Sequence, residues 1–190
     1  MKRTLLLFIL LLGGCLHAQE THSKLGDLLF YSDAGGMGDA IKESTGHYTH
    51  VALVVEVGDT VWIIDATQRY GVSRHPFLRK PESSMKPYPD VYRLAVPFDT
   101  AAVIARATAL IGKPYDDAFL PDNDAYYCSE LIQVAFGNLF PSHPMNWRDT
   151  NGKLPKYWKK HFKKLKMKVP EGVPGTNPTD LSRSPLLQKL

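Results

Sequence analysis

Cysteine is scarce in this chain of 190 residues, which contains only Cys15 and Cys128. Cys15 lies in an amino-terminal segment that export would either remove or modify, so the mature protein would carry one unpaired thiol. A disulfide-bonded scaffold is therefore not expected. The ordinary interpretation of a lone thiol is a buried structural residue, because free cysteine behaves as a small hydrophobe. Only its surroundings can argue for a chemical role.

The amino-terminal hydrophobic run, residues 5–12, is too short to cross a bilayer. It follows Lys2 and Arg3, so a charged start precedes a short apolar stretch, as in a secretory signal. Two processing routes remain open: cleavage after Ala18, or processing before Cys15 within a sequence that resembles a bacterial lipoprotein box. We therefore expect an exported protein of the bacterial periplasm or outer cell envelope, either soluble or lipid-anchored through Cys15.

Strong net charge is also absent. The formal charge of +4 becomes +2 once the two basic residues of the signal are removed, which is too little to indicate nucleic-acid binding. Most of the remaining excess lies in a lysine-rich segment, residues 159–168. The alternation of Leu165, Met167 and Val169 predicts a last helix and strand with a solvated basic face. Peripheral contact with a membrane surface or an anionic cell-wall polymer is the alternative.

The length limits the number of domains. About 170 residues remain after export, which is enough for one domain with a proper apolar core but not for two. We assign residues 1–18 to the signal peptide and residues 19–169 to the domain. Residues 170–190, rich in Pro, Gly, Ser and Thr, are predicted to form a surface tail.

Apolar patterns and turn residues predict the secondary structure. The expected elements are strands at 28–31, 50–57, 60–66 and 91–96, a covering loop at 67–89, and helices at 37–43, from Asp99 to Gly112 and from Cys128 to Gly137. The strands at 50–57 and 60–66 flank the turn dipeptide Gly58–Asp59 and predict a hairpin. Both are almost continuously apolar, so both faces of the hairpin should be covered and a polar residue inside it needs a reason.

Cys128 opens one of the predicted helices. A thiol is a good nucleophile only as thiolate, and a helix amino terminus with an adjacent imidazole lowers its pKa. The unpaired backbone N–H groups of such a terminus can also stabilise a developing oxyanion. The position of Cys128 thus favours a nucleophile over a structural thiol.

A cysteine nucleophile needs a histidine base, and seven histidines are present. Most of them fall in predicted tails or loops, where a histidine is usually solvated. His50 differs, because it heads the buried hairpin on a rigid element suited to holding an imidazole in place. We take His50 as the candidate base.

Hairpin geometry chooses the acid that would orient this imidazole. If Gly58–Asp59 is a two-residue turn, Asp65 lies opposite Ala52 and diagonal to His50, with Cα atoms about 7 to 8 Å apart. Glu56 shares the face but lies about 20 Å along the strand from His50. Asp65 is therefore the candidate orienting acid, although a carboxylate capping the following turn is the structural alternative.

Four segments together resemble a known family: HVALVV at 50–55, IDA at 64–66, GKPYD at 112–116 and YCSELI at 127–132. They resemble the YiiX/YebB-like cysteine hydrolases of the NlpC superfamily, over roughly residues 24–140. The resemblance implies an α+β, circularly permuted papain-like fold, with an antiparallel sheet or partly open barrel packed against helices. It also implies a Cys128–His50–Asp65 triad. Relatives often carry Glu where this chain has Asp65, which is one methylene shorter.

Further residues near the cysteine are candidates for binding. Tyr115, Tyr127 and Ser129 could contact the substrate or the oxyanion, whereas the two tyrosines could equally pack under a loop. No metal or cofactor is expected, because one cysteine with scattered histidines makes no zinc site. The acidic loop residues also lack the spacing of a calcium site.

The expected reaction is two-step acyl transfer through a thioester. The resemblance implies an amide substrate, such as a cell-wall peptide or an N-acylated small molecule. Lipid acyl transfer or ester hydrolysis is a second possibility, and a non-catalytic cell-envelope binding module is a third. Nothing in the sequence indicates an oligomeric state.

Overall fold

A computed structural model describes residues 23–77, 89–137 and 139–190. The predicted signal segment and both of its processing sites lie outside these residues. The strands are β1 Leu28–Tyr31, β2 His50–Glu56, β3 Trp62–Thr67, β4 Gly71–Pro76, β5 Asp90–Leu94, β6 His143–Pro144, β7 Pro174–Gly175 and β8 Leu187–Lys189. The helices are α1 Gly36–Thr45, α2 Thr100–Ala109, α3 Cys128–Ala135, α4 Lys156–Lys164 and α5 Pro178–Ser182.

Six strands form one antiparallel sheet in the order β4-β3-β2-β1-β5-β8. The central strands are buried on both faces, because successive side chains point to opposite sides. In β1, for example, Leu28 and Phe30 belong to one apolar cluster, and Leu29 and Tyr31 belong to another. The prediction that both faces of the apolar hairpin are covered is therefore confirmed.

Helices α2 and α3 pack on the first of these faces. Asp99 caps α2 as predicted, since its carboxylate accepts a hydrogen bond from the Ala102 N–H at 2.9 Å. Leu131 and Ile132 of α3 are fully buried against the sheet. Burying such a side chain contributes about 1.5–3 kcal/mol. This contact fixes the position of the helix that begins at Cys128.

A third apolar cluster joins α1 to α4 and is largely aromatic. Trp158 and Phe162 of α4 are buried there, and Trp147 packs edge-on against both. The lysines of α4 point to solvent. The helix predicted in this segment is confirmed, although α5 follows it in the chain, and the strand predicted directly after it is wrong. The chain turns at Lys166, which has a positive φ of 55°, and Leu165 is exposed.

The predicted covering loop at 67–89 is wrong in its first part. Residues 71–76 form β4, which pairs with the whole of β3. The strand can begin here because Gly71 has a φ of +62°, and a Cβ at this position would lie 2.3 Å from the Lys113 carbonyl oxygen. The Val72 N–H donates to the same oxygen at 2.9 Å. Residues 78–88 lie outside the described part of the chain.

The carboxy-terminal segment also differs from its prediction as a surface tail. Strand β8 extends the sheet by pairing with β5, and Leu181 of α5 is buried in the core. The Thr179 hydroxyl accepts a hydrogen bond from the Tyr48 N–H at 3.0 Å and donates to the Tyr48 carbonyl at 3.2 Å. The turn-forming residues of the carboxy-terminal segment separate short helices and strands instead of marking a solvated tail. No helix in the described ranges is both long and apolar enough to cross a membrane.

Replacing Thr179 with Val should destabilise the domain by about 1–3 kcal/mol, because it leaves two buried backbone groups of Tyr48 without partners. Thr179→Ser keeps the hydroxyl and should lose less. Chemical denaturation of the three proteins measures the difference. Equal stability of wild type and Thr179→Val would show that the carboxy-terminal segment does not support the start of β2.

Candidate active site

Cys128 is the first residue of α3 and is buried, with 6% of its surface exposed. The residue before it, Tyr127, has an extended backbone and provides no side-chain cap. Glu130 lies at the third helical position, and its interaction with the Tyr127 N–H lowers the pKa of its carboxyl, as in one half of a capping box. The remaining N–H groups of the first turn lie beside the thiol, where negative charge is favoured.

His50 is the first residue of β2, and its Nε2 lies 2.9 Å from Asp65 Oδ2. A carboxylate only accepts hydrogen bonds, so Nε2 must carry the hydrogen. Cys128 also interacts with the imidazole and contributes to the raised pKa of His50. The Nδ1 atom is thereby left for the thiol, which is the arrangement a general base requires.

The charges of His50 and Asp65 stabilise each other beside Cys128. Burial lowers the pKa of His50, but hydrogen bonds with Asp65 and Cys128 outweigh it and hold the pKa well above its ordinary value. Burial raises the pKa of Asp65, but hydrogen bonds from His50 and His75 bring it below its ordinary range. Asp65 is therefore ionised at neutral pH, and the charged form of His50 is favoured. That combination suits a thiolate–imidazolium pair.

The predicted register of the hairpin is confirmed, but the predicted turn is wrong. Leu53 pairs with Ile64 and Val54 with Ile63, which places Asp65 diagonal to His50 as expected. The strands end earlier than predicted, so residues 57–61 connect them instead of a two-residue turn. A register shift between Val54 and Glu56 absorbs the difference.

The other candidate acid, Glu56, takes no part in this group. Its carboxylate is more than half exposed and forms an ion pair with Arg74. Arg74 in turn lies over the ring of Trp62, 4.2 Å from its centroid. Distance along β2 separates Glu56 from His50, as predicted.

His75 is a contact that the sequence analysis missed. Its Nε2 lies 2.9 Å from the second oxygen of Asp65, Oδ1. The sequence predicts a covering loop here, where a histidine is usually solvated. A strand signal was present in the apolar Val72 after Gly71, but the short segment lacks the continuous apolar character of β2 and β3.

A small cavity adjoins the thiol. Its volume is about 30 Å³, enough for a water molecule or two. Its lining includes the three predicted binding residues, Tyr115, Tyr127 and Ser129, and several apolar side chains, Ile41, Phe119, Met145, Trp147 and Trp158. The thiol therefore faces a narrow and mainly apolar space.

The three predicted binding residues differ in their contacts. Burial, and secondarily the charge of Cys128, raise the pKa of Tyr115 well above its ordinary value, so its hydroxyl remains a hydrogen-bond donor. The Tyr127 hydroxyl accepts a hydrogen bond from the Thr176 N–H at 3.0 Å. The Ser129 hydroxyl is fully buried and has no partner among the described residues. The Tyr115 hydroxyl donates to Met37 Sδ at 3.8 Å, and the residue lines the cavity beside the thiol.

Glu130 is a second residue that the sequence analysis did not single out. Burial and the neighbouring charge of Asp116 raise its pKa to about 8, although the hydrogen bond from the Tyr127 N–H acts the other way. Asp116 itself accepts hydrogen bonds from the backbone N–H groups of Ala118 and Leu120. Glu130 is thus mostly protonated at neutral pH, so α3 carries little negative charge near Cys128.

Comparison with known proteins identifies the family of the chain. Residues 22–190 match a family model described as permuted papain-like amidase enzymes, YaeF/YiiX, of the C92 family. A crystal structure described as the metalloprotein YiiX from Escherichia coli O157:H7 is similar, with a TM-score of 0.72 and 21% sequence identity. The similarity covers 88% of this chain and 96% of that one. The comparison with curated proteins found no match.

These findings confirm the predicted permuted papain-like α+β fold. At 21% identity, the similar structure establishes the fold and nothing more about chemistry. The wider placement in the NlpC superfamily stays a prediction.

Changing Asp65 to Asn should slow alkylation of Cys128 near neutral pH, because the neutral amide no longer supports the charged form of His50. The pKa of His50 is raised in the wild type and falls when the carboxylate is lost. Each pKa unit changes the ratio of charged to neutral His50 roughly tenfold. Glu56→Gln is the control and should stay within about twofold, since exposed ion pairs contribute little. A larger loss from Glu56→Gln would contradict the assignment of Asp65.

Proposed function

Because the chain belongs to the family of permuted papain-like amidases, YaeF/YiiX, we propose that it is a cysteine hydrolase of amide bonds. Cys128 is the nucleophile, His50 is the general base and Asp65 orients the imidazole. The observation that carries this assignment is the hydrogen bond between His50 Nε2 and Asp65 Oδ2 at 2.9 Å, beside a thiol that helps to raise the pKa of the imidazole. Three elements, α3, β2 and β3, bring these residues together.

The proposed reaction begins when His50 takes the proton of the thiol and the thiolate attacks the amide carbonyl carbon. The oxyanion forms beside the first-turn N–H groups of α3, with the Tyr115 hydroxyl as a further donor. The C–N bond then breaks, and His50 protonates the leaving amine. The product of this half-reaction is a thioester on Cys128.

Water completes the cycle. His50 removes a proton from the water molecule, whose oxygen attacks the thioester carbonyl. The C–S bond breaks, the carboxylic acid leaves and the proton on His50 returns to the thiolate. Asp65 stays ionised throughout and stabilises the imidazolium formed in both halves.

The similar YiiX structure is described as a metalloprotein, but the residues of this site do not suit a metal ion. The described residues contain no group of three or more His, Cys, Asp and Glu side chains with the geometry of a metal site. The Nε2 atoms of His50 and His75 both point at Asp65, where each engages one carboxylate oxygen. No step of the proposed reaction uses a metal.

The packing of α4 supports an amide substrate over a membrane lipid. The lipid alternative relied on aromatic residues of the basic segment approaching a membrane, but Trp158 and Phe162 are buried in the core. The exposed face of α4 offers lysines and no comparable apolar surface. We propose a cell-wall peptide or an N-acylated small molecule as the substrate, met in the exported compartment that the predicted signal indicates.

The cheapest test is thiol alkylation. Iodoacetamide should label Cys128 rapidly near neutral pH, and His50→Ala should slow labelling roughly tenfold or more, because an unassisted thiol with a pKa near 8.5 is mostly protonated there. His143→Ala, at an exposed histidine, is the control. A thiol that stays inert until the protein unfolds would favour the non-catalytic binding module.

Substrate class is tested by product analysis. The wild type and Cys128→Ser are incubated with peptidoglycan fragments, N-acylated amino acids and phospholipids, and products are compared by mass spectrometry. We expect amide cleavage by the wild type and at least a 10³-fold loss in Cys128→Ser, as for removal of a nucleophile. Release of fatty acid from phospholipid alone would contradict the amidase proposal and support the lipid alternative.

A further inference from the structure

The carboxylate of Asp65 lies between two histidines on the strands that flank it. Asp65 pairs with Ser73 of β4 and lies on the same face as His50 of β2. His75 lies two residues beyond Ser73, so it is a diagonal neighbour of Asp65 in the same sense as His50. The two histidines approach the carboxylate from opposite directions along the strands.

Each histidine is hydrogen-bonded to a different carboxylate oxygen of Asp65. His50 Nε2 lies 2.9 Å from Oδ2, and His75 Nε2 lies 2.9 Å from Oδ1. Because the ionised carboxylate only accepts, both Nε2 atoms donate. The Asp65 side chain is 7% exposed, so water replaces neither donor easily.

From this arrangement we propose that His75 is a positioning residue of the catalytic site, which holds the Asp65 carboxylate in the orientation that His50 requires. The proposal rests on the function proposed above. It extends the predicted set of three residues to a chain of four, Cys128–His50–Asp65–His75. His75 acts through Asp65 and does not touch the reacting atoms.

The physical reason is the freedom of a carboxylate that is held at one oxygen only. Without a donor at Oδ1, that buried oxygen would lack a partner, which costs about 1–3 kcal/mol. The carboxylate would gain by turning toward other donors or by taking up a proton. Either change weakens the hydrogen bond to His50 and with it the support for the imidazolium.

The other ionisable groups near Asp65 do not supply a replacement donor at Oδ1. Tyr31 of β1 lies on the same face, with its ring 5.5 Å from that of His50. Burial, followed by the charges of Asp65 and Asp33, raises the pKa of Tyr31, so it stays neutral. Cys128 of α3 interacts with His50, whose pKa it helps to raise. Among the described residues, His75 is the side chain bonded to Oδ1.

The experiment compares His75→Leu, His75→Gln and wild type by the pH profile of Cys128 alkylation and of amide hydrolysis. His75→Leu removes the donor, whereas the Gln side chain can place an N–H near the position of Nε2. In His75→Leu we expect kcat to fall about tenfold with little change in KM, as for loss of an orienting partner. The basic limb of the pH profile of amide hydrolysis should move to lower pH. The reason is that the pKa of His50 falls when the Asp65 carboxylate is no longer held in place.

His75→Gln should recover most of the rate and return the basic limb toward its wild-type position. His143→Leu, at an exposed histidine, serves as the matched control, and thermal unfolding shows that each variant is folded. A purely structural role would lower the melting temperature without moving the limb, and Gln would then rescue no better than Leu.

Three outcomes would overturn the inference. They are an unchanged profile in His75→Leu, a basic limb that moves to higher pH, or equal defects in the Leu and Gln variants. A failure of the proposed function is distinct, because Cys128 of the wild type would then show no enhanced alkylation at neutral pH. If the wild type is reactive and His75→Leu matches it, only the role of His75 is lost.

Discussion

The buried carboxylate of Asp65 is the group on which the arrangement of this site depends. Two oxygens accept hydrogen bonds from two histidines, and these contacts keep the carboxylate ionised despite its burial. An isolated charge in such a place would be very unfavourable, so the histidines and the acid require one another. The strands β2, β3 and β4 must therefore keep one register, since sliding any of them by one residue turns its side chains to the other face.

The rest of the fold brings the thiol to this group. Leu131 and Ile132 anchor α3 to the opposite face of the sheet, and the amino terminus of the helix meets the start of β2. The start of β2 is itself supported from far along the chain, because Thr179 bonds both backbone groups of Tyr48. The carboxy-terminal segment thus stabilises the position of His50, even though it contributes none of the proposed catalytic residues.

Much of this was predictable, for identifiable reasons. The hairpin register followed from the position of the turn and from the alternating direction of side chains along a strand. The bulge near Val55 left this register intact, even though the turn was longer than predicted. Strand β4 was missed because it is short and has one polar face, so its pattern resembles a loop. The carboxy-terminal elements were missed because dense turn residues concealed short pieces such as β8, which pair with distant strands.

Local sequence indicated the candidate nucleophile, its helix and the candidate base, because helix starts and strand heads depend on neighbouring residues. It also favoured Asp65 over Glu56, since that choice needed only the geometry of a hairpin. Tertiary structure alone decided that His75 bonds the other oxygen of Asp65. It also decided that Trp158 and Phe162 of α4 are buried, and that residues 170–190 belong to the domain. Each of these depends on pairing or packing between segments far apart in the chain, for which no local pattern carries a signal.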